Sequence, residues 1–331
     1  MTGIKNISNC HTCPYCANPE VQFAIPFEVA GIAYSVWSCM QCGFGNTYPQ
    51  PDDALLHKLY STQYYRNGEG IRFIRPVEWL IEGMRRLRIK RLSKYAKIGR
   101  ALDIGCGSGR FLRGLRSAGW EVAGLELNEE TAASASRVHG LVVETSLDAF
   151  PDRSFDLITI THVLEHVRDP QQMLTRCARL LRPHGIITVA VPNLNSWQAR
   201  LTRENWFHLD LPRHLWHFSE TWLSKTLHNL GFVQVAVRRM DFAHNTFGWM
   251  QSLLNLMGIH HNRLYSFLSD ENLKGQASRN QVVGLLLSII LMPLLLPLSV
   301  TLAVIEASLH AGGTVEFIAR VPDDPCFGSK H

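Results

Sequence analysis

Residues 101–110 read Ala-Leu-Asp-Ile-Gly-Cys-Gly-Ser-Gly-Arg, and residues 121–126, Glu-Val-Ala-Gly-Leu-Glu, follow about one helix later. The first stretch is an apolar strand that runs into a glycine-rich turn. The second is a strand that ends on an acid. Gly105, Gly107 and Gly109 have no Cβ, so the chain can turn sharply there and its backbone can approach a ligand closely. An ionised Glu126 can accept hydrogen bonds from two vicinal ribose hydroxyls at once. Strand, glycine turn, helix, strand and acid together predict a nucleoside-cofactor site in a doubly wound α/β sheet.

The glycine spacing separates two chemistries that share this architecture. A dinucleotide fingerprint places its third glycine three residues after the second, where pyrophosphate meets the helix N-terminus. Here the order is Gly105-x-Gly107-x-Gly109 with Asp103 two residues ahead, which disfavours a nicotinamide oxidoreductase. Leu102 to Gly109 resembles the first motif of the class I S-adenosylmethionine (SAM)-dependent methyltransferases. The resemblance implies that Asp103, Gly105, Cys106, Gly107 and Gly109 hold the methionine end of SAM and that Glu126 and Leu127 hold its ribose. It further places the adenine near Ser146 and Leu147, after a third strand at residues 141–144.

Downstream, residues 155–170 resemble the fourth strand and following turn of methyltransferases related to the ubiquinone-biosynthesis enzymes, and residues 180–193 their next helix, turn and strand. Residues 206–219, rich in Trp and His, resemble a subgroup common among bacterial cell-envelope enzymes. The implied fold is a seven-stranded, mostly parallel, doubly wound sheet. Its sixth and seventh strands are expected at residues 231–239 and 313–321.

A chain of 331 residues can hold such a domain with attachments, and a net charge of +5 says little about partners. Residues 1–20 lack an apolar signal-peptide core, so the eight cysteines read as metal ligands or free thiols rather than a disulfide framework. Cys13-Pro-Tyr-Cys16 and Cys39-Met-Gln-Cys42 are two CxxC knuckles spaced as in a zinc ribbon, joined by a strand pair turning at Gly31. Four thiolates close a tetrahedral shell, so this zinc is structural, and Cys10 and His11 are adjacent rather than needed. Cys177, on a helix, has no nearby base in sequence.

The chain is expected to divide into a zinc ribbon (1–50), a linker with lid and basic helices (51–99), the SAM-binding core (100–245), a membrane-associated helical insertion (246–310) and a final core strand (311–325). Tyr64 and Tyr65 are lid candidates by resemblance. In residues 84–100, Met84, Leu87, Leu92, Tyr95 and Ile98 repeat at roughly helical spacing and the remainder is basic without an acid, which suits either a solvated helix face or anionic lipid head groups. Residues 282–305 carry no charge and, as one helix, would be about 36 Å long. Pro293 and Pro297 argue against a straight rod, and the flanking strands must meet in one sheet. An apolar helical hairpin that dips into a membrane and returns satisfies both constraints.

His162, Glu165 and His166 follow the fourth strand, and His208, His214 and His217 follow the fifth. Strand C-termini line the crevice in open α/β sheets, so the two groups converge above the cofactor. His162, His166, His214 and His217 are the candidate bases for a hydroxyl nucleophile. Some related O-methyltransferases carry Glu-x-x-Glu-His here with a bound metal. This chain has His162-x-x-Glu165-His166, so a second divalent metal near Glu165 and His166 would be softer than magnesium. Trp197, Trp206, Trp216 and Trp222 are candidates to floor an apolar acceptor site.

These readings point to SAM-dependent O-methylation of a lipid, lipid-linked glycan or quinone-type acceptor at the inner face of a bacterial membrane. An RNA or soluble small-molecule methyltransferase, and a non-catalytic membrane-attached SAM-binding protein, are the alternatives.

Overall fold

The computed structural model describes residues 13, 15–18, 21–29, 31–61, 73–259, 261–269 and 279–322. Cys10, His11, Tyr64 and Tyr65 lie outside these residues. The N-terminal strands are β1 (Val21–Val29), β2 (Ile32–Cys39) and β3 (Gly45–Tyr48), followed by helices α1 (Asp53–Ser61) and α2 (Arg75–Leu92). Then come β4 (Arg100–Ile104), α3 (Arg110–Ser117), β5 (Glu121–Leu125), α4 (Glu129–His139), β6 (Val142–Glu144), β7 (Phe155–Thr161), α5 (Pro170–Leu180) and β8 (Leu181–Pro192). The C-terminal elements are α6 (Trp197–Thr202), β9 (Trp216–His217), α7 (Glu220–Asn229), β10 (Val233–Arg238), α8 (Phe242–Leu256), α9 (Arg263–Leu268), α10 (Arg279–Ser308) and β11 (Thr314–Arg320).

The main sheet has the order β10-β11-β8-β7-β4-β5-β6. Strands β4 to β8 are parallel, and β11 runs antiparallel between β8 and β10. β4, β7 and β8 are buried on both faces, which is why they read as near-continuous apolar runs rather than alternating ones. The order reverses at β4, so the C-terminal ends of β4, β5 and β7 frame the crevice where ligands bind in such sheets.

The cysteine knuckles belong to a second sheet, β1-β2-β3-β9. Its last strand comes from the far side of the chain, with Gly45 paired to His217 and Asn46 to Trp216. The joint is aromatic: Phe44 sits 5.1 Å from both Trp216 and Trp222, and Trp222 stacks on Phe218 at 4.7 Å. Trp206 and Trp222 are thus fully buried core residues and do not floor an acceptor site, whereas Trp216 donates its indole N–H to Val167 O at 2.8 Å.

The insertion between β10 and β11 differs from the expected hairpin. Residues 279–308 form one continuous helix with Pro293 and Pro297 inside it. Each proline removes one backbone donor, whereas reversing the chain within an apolar run would leave about four N–H and four C=O groups unsatisfied at each new helix end. Keeping one helix strands fewer groups. α8 leads out from β10 and α10, packed against it, leads back to β11, so the chain reverses between two helices rather than within the apolar run.

Thr47 on β3 donates its hydroxyl to His214 O at 2.6 Å and its backbone N–H to Leu215 O at 3.0 Å, riveting the ribbon to the histidine segment. Thr47→Val, which keeps the shape and removes the hydroxyl, is expected to lower unfolding free energy by about 1–3 kcal/mol, measured by urea denaturation.

Candidate functional site

The glycine turn adopts the backbone its composition permits: φ is +70° at Gly105, +53° at Gly107 and +76° at Gly109. A side chain at Gly105 would also collide with Val163, and one at Gly109 with Leu141. Gly105 and Cys106 donate to Leu125 O at 2.8 and 3.0 Å, drawing the turn against the end of β5. The Glu126 carboxylate accepts from Gly107 N and Asn128 N, both at 3.0 Å. Burial raises the Glu126 pKa, and the backbone donors of Asn128, Gly107 and Leu127 oppose that rise.

Asp103 is buried behind the turn and accepts from Thr159 Oγ1 at 2.5 Å; burial pushes it up to about 6. The Cys106 side chain points into the apolar core with Leu112 and Leu115, leaving only its backbone in the turn. Leu127 is 65 % exposed beside Glu126, an apolar surface suited to a nucleobase edge. Ser146 caps the 3-10 turn Leu147–Ala149 and accepts from Asp148 N at 3.2 Å. Turn, acid and exposed apolar neighbour together fit an adenosine-bearing cofactor.

Over the same strand ends lies a cluster of histidines. His162 follows β7 with φ +52°, a left-handed conformation that a non-glycine residue rarely adopts and that turns the chain into the 3-10 turn Leu164–His166. Its Nδ1 lies 3.5 Å from Glu165 Oε1, and its Nε2 is buried with no hydrogen-bond partner. Burial, then the neighbouring His244, holds His162 well below the ordinary histidine value.

Glu165 is buried, and neither carboxylate oxygen has a hydrogen-bond partner; burial pushes its pKa up to about 7. Ligand atoms of Glu165, His166 and His214 all lie within 4.8 Å of one another. His166 Nδ1 donates to Arg213 O at 3.1 Å, and His214 Nε2 lies 3.7 Å from Asp210 Oδ2. One carboxylate and two imidazoles fit a divalent cation of zinc or manganese type better than magnesium. The partnerless oxygens of Glu165 favour that fit.

His217 has another role. Thr47 spends its hydroxyl proton on His214 O, so His217 Nε2 must be the donor in the 2.9 Å contact with Thr47 Oγ1. Burial pushes His217 down to about 3, and it is a neutral structural residue of the ribbon joint rather than a base. His208 likewise donates to His244 O at 3.1 Å and is pushed down to about 3, burial being the main cause.

His244, at the start of α8, brings in a group that the motifs of the core did not indicate. Asp241 caps α8 by accepting from His244 N at 3.0 Å, and the same oxygen lies 3.0 Å from His244 Nδ1. The His244 ring stacks on His162 with centroids 4.1 Å apart. Its side chain is 43 % exposed, unlike the buried histidines beside it. Burial works against its charged form, but Asp241 lifts its pKa above the ordinary histidine value. The sequence signal was Asp241-x-x-His244, a cap spacing after the sixth strand.

In the ribbon, Cys13 Sγ lies 3.6 Å from Cys42 Sγ and Cys16 Sγ 3.5 Å from Cys39 Sγ, with all four within 4.8 Å of one another. Zinc–sulfur bonds of about 2.3 Å in a tetrahedron give sulfur separations of ~3.8 Å, so the cluster fits zinc. Cys177 is a buried thiol in the main core.

Glycine turn, ribose-type acid and strand order define a class I SAM-dependent methyltransferase domain. Residues 77–237 match the family model described as a methyltransferase domain. The chain is 35 % identical over 111 residues to a ubiquinone biosynthesis O-methyltransferase of Idiomarina loihiensis, covering 30 % of this chain and 45 % of that protein. A second such enzyme, from Methylococcus capsulatus, is 35 % identical over 103 residues, covering 28 % of this chain and 44 % of that protein. The chain thus spans less than half the length of these curated relatives. Among solved structures, a SAM-dependent methyltransferase from Archaeoglobus fulgidus superposes with a TM-score of 0.45 at 22 % identity, covering 72 % of this chain and 94 % of that one.

Glu126→Ala is expected to weaken SAM binding by about tenfold or more in isothermal titration calorimetry, the loss of one to two charge-assisted hydrogen bonds. Metal analysis of Cys39→Ser, against the parent chain, is expected to show the loss of one zinc per chain.

Proposed function

We propose that the protein catalyses SAM-dependent O-methylation of a membrane-associated hydroxyl acceptor, a lipid, lipid-linked glycan or quinone-type molecule, at the cytoplasmic face of a bacterial membrane. The observation that carries the methyl-transfer reading is the left-handed glycine turn bound to Glu126, directly beneath a histidine cluster with one exposed member. Bound SAM supplies an electrophilic methyl group on a sulfonium sulfur. The chain's own residues do the rest. Gly105, Gly107 and Gly109 with Glu126 would hold and orient the cofactor, presenting its methyl group toward the histidine cluster and an acceptor hydroxyl.

His244 Nε2 takes the acceptor's hydroxyl proton. The Asp241 carboxylate, 3.0 Å from Nδ1, stabilises the imidazolium that forms, while His162 packs against the ring. His166 and His214 lie with Glu165 deeper in the site, where they would hold a divalent cation that polarises the acceptor oxygen. The acceptor class rests on position: α8 carries His244, and the same insertion carries the uncharged α10. The O-methyltransferase names of the curated relatives agree with a hydroxyl acceptor.

An RNA substrate is less well supported. Arg85, Arg88 and Arg91 are paired with Glu82 or Glu316, which removes part of the cationic array expected of residues 84–100. Arg86, Lys90, Lys94 and Lys97 keep an exposed basic surface.

The reading is tested by incubating detergent-purified protein with membrane-lipid extract and methyl-labelled SAM, then following label into lipid and S-adenosylhomocysteine release. A base must be neutral to accept a proton, so activity rises as pH passes upward through the His244 pKa. Asp241→Asn keeps a capping side chain but removes the charge that raises that pKa, so the acid limb of the profile is expected to move to lower pH. His244→Ala is expected to lower kcat by about 10²–10⁴-fold with SAM affinity unchanged.

A further inference from the structure

We infer that α10 lies flat in one leaflet of a lipid bilayer, with both helix ends on the same side, and that it does not cross the membrane. The inference rests on the membrane reading above and concerns how the protein sits there.

A helix facing water turns its polar residues outward. α10 does the reverse. Its protein-facing stripe includes Gly284, Ser288, Ser299 and Glu306, all buried. Its outward stripe is aliphatic but for Thr301, whose hydroxyl donates to Pro297 O at 2.9 Å: Ile290 is 70 % and Leu294 68 % exposed, and no charge occurs from residue 280 to 305. Polar inward and aliphatic outward is the pattern an apolar solvent selects. A second protein would more often meet aromatic or arginine anchors, and this stripe offers none.

Length alone would let α10 cross, since 30 residues make a helix of about 45 Å. Its neighbours prevent that. The inward stripe is covered from Gly284 to Glu306, with Leu254 and Leu264 of α8 and α9 in the same apolar cluster as Leu295. α8 has 15 residues, about 22 Å, short of a ~30 Å hydrocarbon core, and it carries Asn245, Gln251 and Asn255. A crossing α10 would draw those amides into lipid.

Both ends are also tied to the same globule. At the C-terminal end, Glu306 accepts from Trp249 Nε1 at 2.7 Å and from Gln198 N at 3.1 Å, and Gln198 belongs to α6 at the sheet edge. At the other end, Arg263 Nε of α9 donates to Gln281 O at 3.2 Å, and Leu268 O of α9 accepts from Ile74 N at 3.2 Å, immediately before α2. Helix ends tethered to one folded body cannot lie on opposite faces of a bilayer. Arg75 and Trp79, exposed in the first turns of α2 beside α9, and Arg279 at the start of α10 supply a basic, aromatic border. Such a border suits an anionic head-group layer.

The test uses the full chain bound to sealed vesicles of phosphatidylcholine and phosphatidylglycerol. Arg279→Cys and Ser308→Cys are each treated with a membrane-impermeant maleimide added outside, with the unsubstituted chain as background. The expected result is flotation with the vesicles and labelling of both added thiols within about twofold of the level reached in detergent. Ile290→Glu with Leu294→Glu is expected to weaken flotation by about tenfold or more while calorimetric SAM affinity stays unchanged, which shows that the domain remains folded. Labelling at one position with protection at the other would mean that α10 crosses, and would overturn the inference while leaving the membrane reading intact. Failure of the parent chain to float would overturn both. Formation of a dimer in its place would assign the stripe to a second copy.

Discussion

The pairing of β11 between β8 and β10 constrains everything around the site. β10 ends and β11 begins at the edge of the sheet where β8 ends, so all that lies between them must leave from that edge and return to it. The inserted helices therefore cap the crevice. α8 sets out from it carrying Asp241 and His244, and α10 comes back to it with Glu306 locked against Gln198 and Trp249. The proposed base and the apolar surface thus share one structural unit.

Charge is distributed unevenly across the histidine cluster, and burial explains the asymmetry. His162, His208, His214 and His217 are withdrawn from water, where the neutral form is preferred, and each has its pKa lowered. His244 differs because Asp241 meets it at the helix cap and because one side of its ring remains open. A single carboxylate at a helix start therefore both orders the backbone and selects which imidazole is basic. Glu165 contributes the opposite device, a buried acid raised toward neutrality, its oxygens facing His166 and His214.

The ribbon is more than an appendage. β9 completes its sheet, Thr47 holds His214 and His217, and Phe44 packs into the aromatic joint with Trp216 and Trp222. Four cysteines ordered by a metal would fix the position of β3, and through β3 the segment that bears His214 and His217. A boundary at residue 50 divides the sequence by motif, but it cuts through a continuous hydrogen-bonded sheet.

Local chemistry in the sequence determined the glycine turn, the acid after β5, the four-cysteine cluster and the alternation of strand and helix. Each rests on contacts between near neighbours or on a spacing that only one backbone shape satisfies. Residues brought together across the chain were decided by the tertiary structure. His217 reads the same in sequence as His166, yet a threonine 170 residues away makes it structural. His244 carries only a helix-cap spacing in sequence, and the fold places it beside His162, with ring centroids 4.1 Å apart. Of the tryptophans that read as a pocket, Trp216 and Trp222 form the joint to the ribbon, while Trp197 lines a cavity. For residues 282–305, hydropathy marked an apolar segment but could not give its path. Two prolines suggested a bend, whereas the need to satisfy backbone hydrogen bonds kept one helix, and packing against α8 and α9 set which face it turns outward.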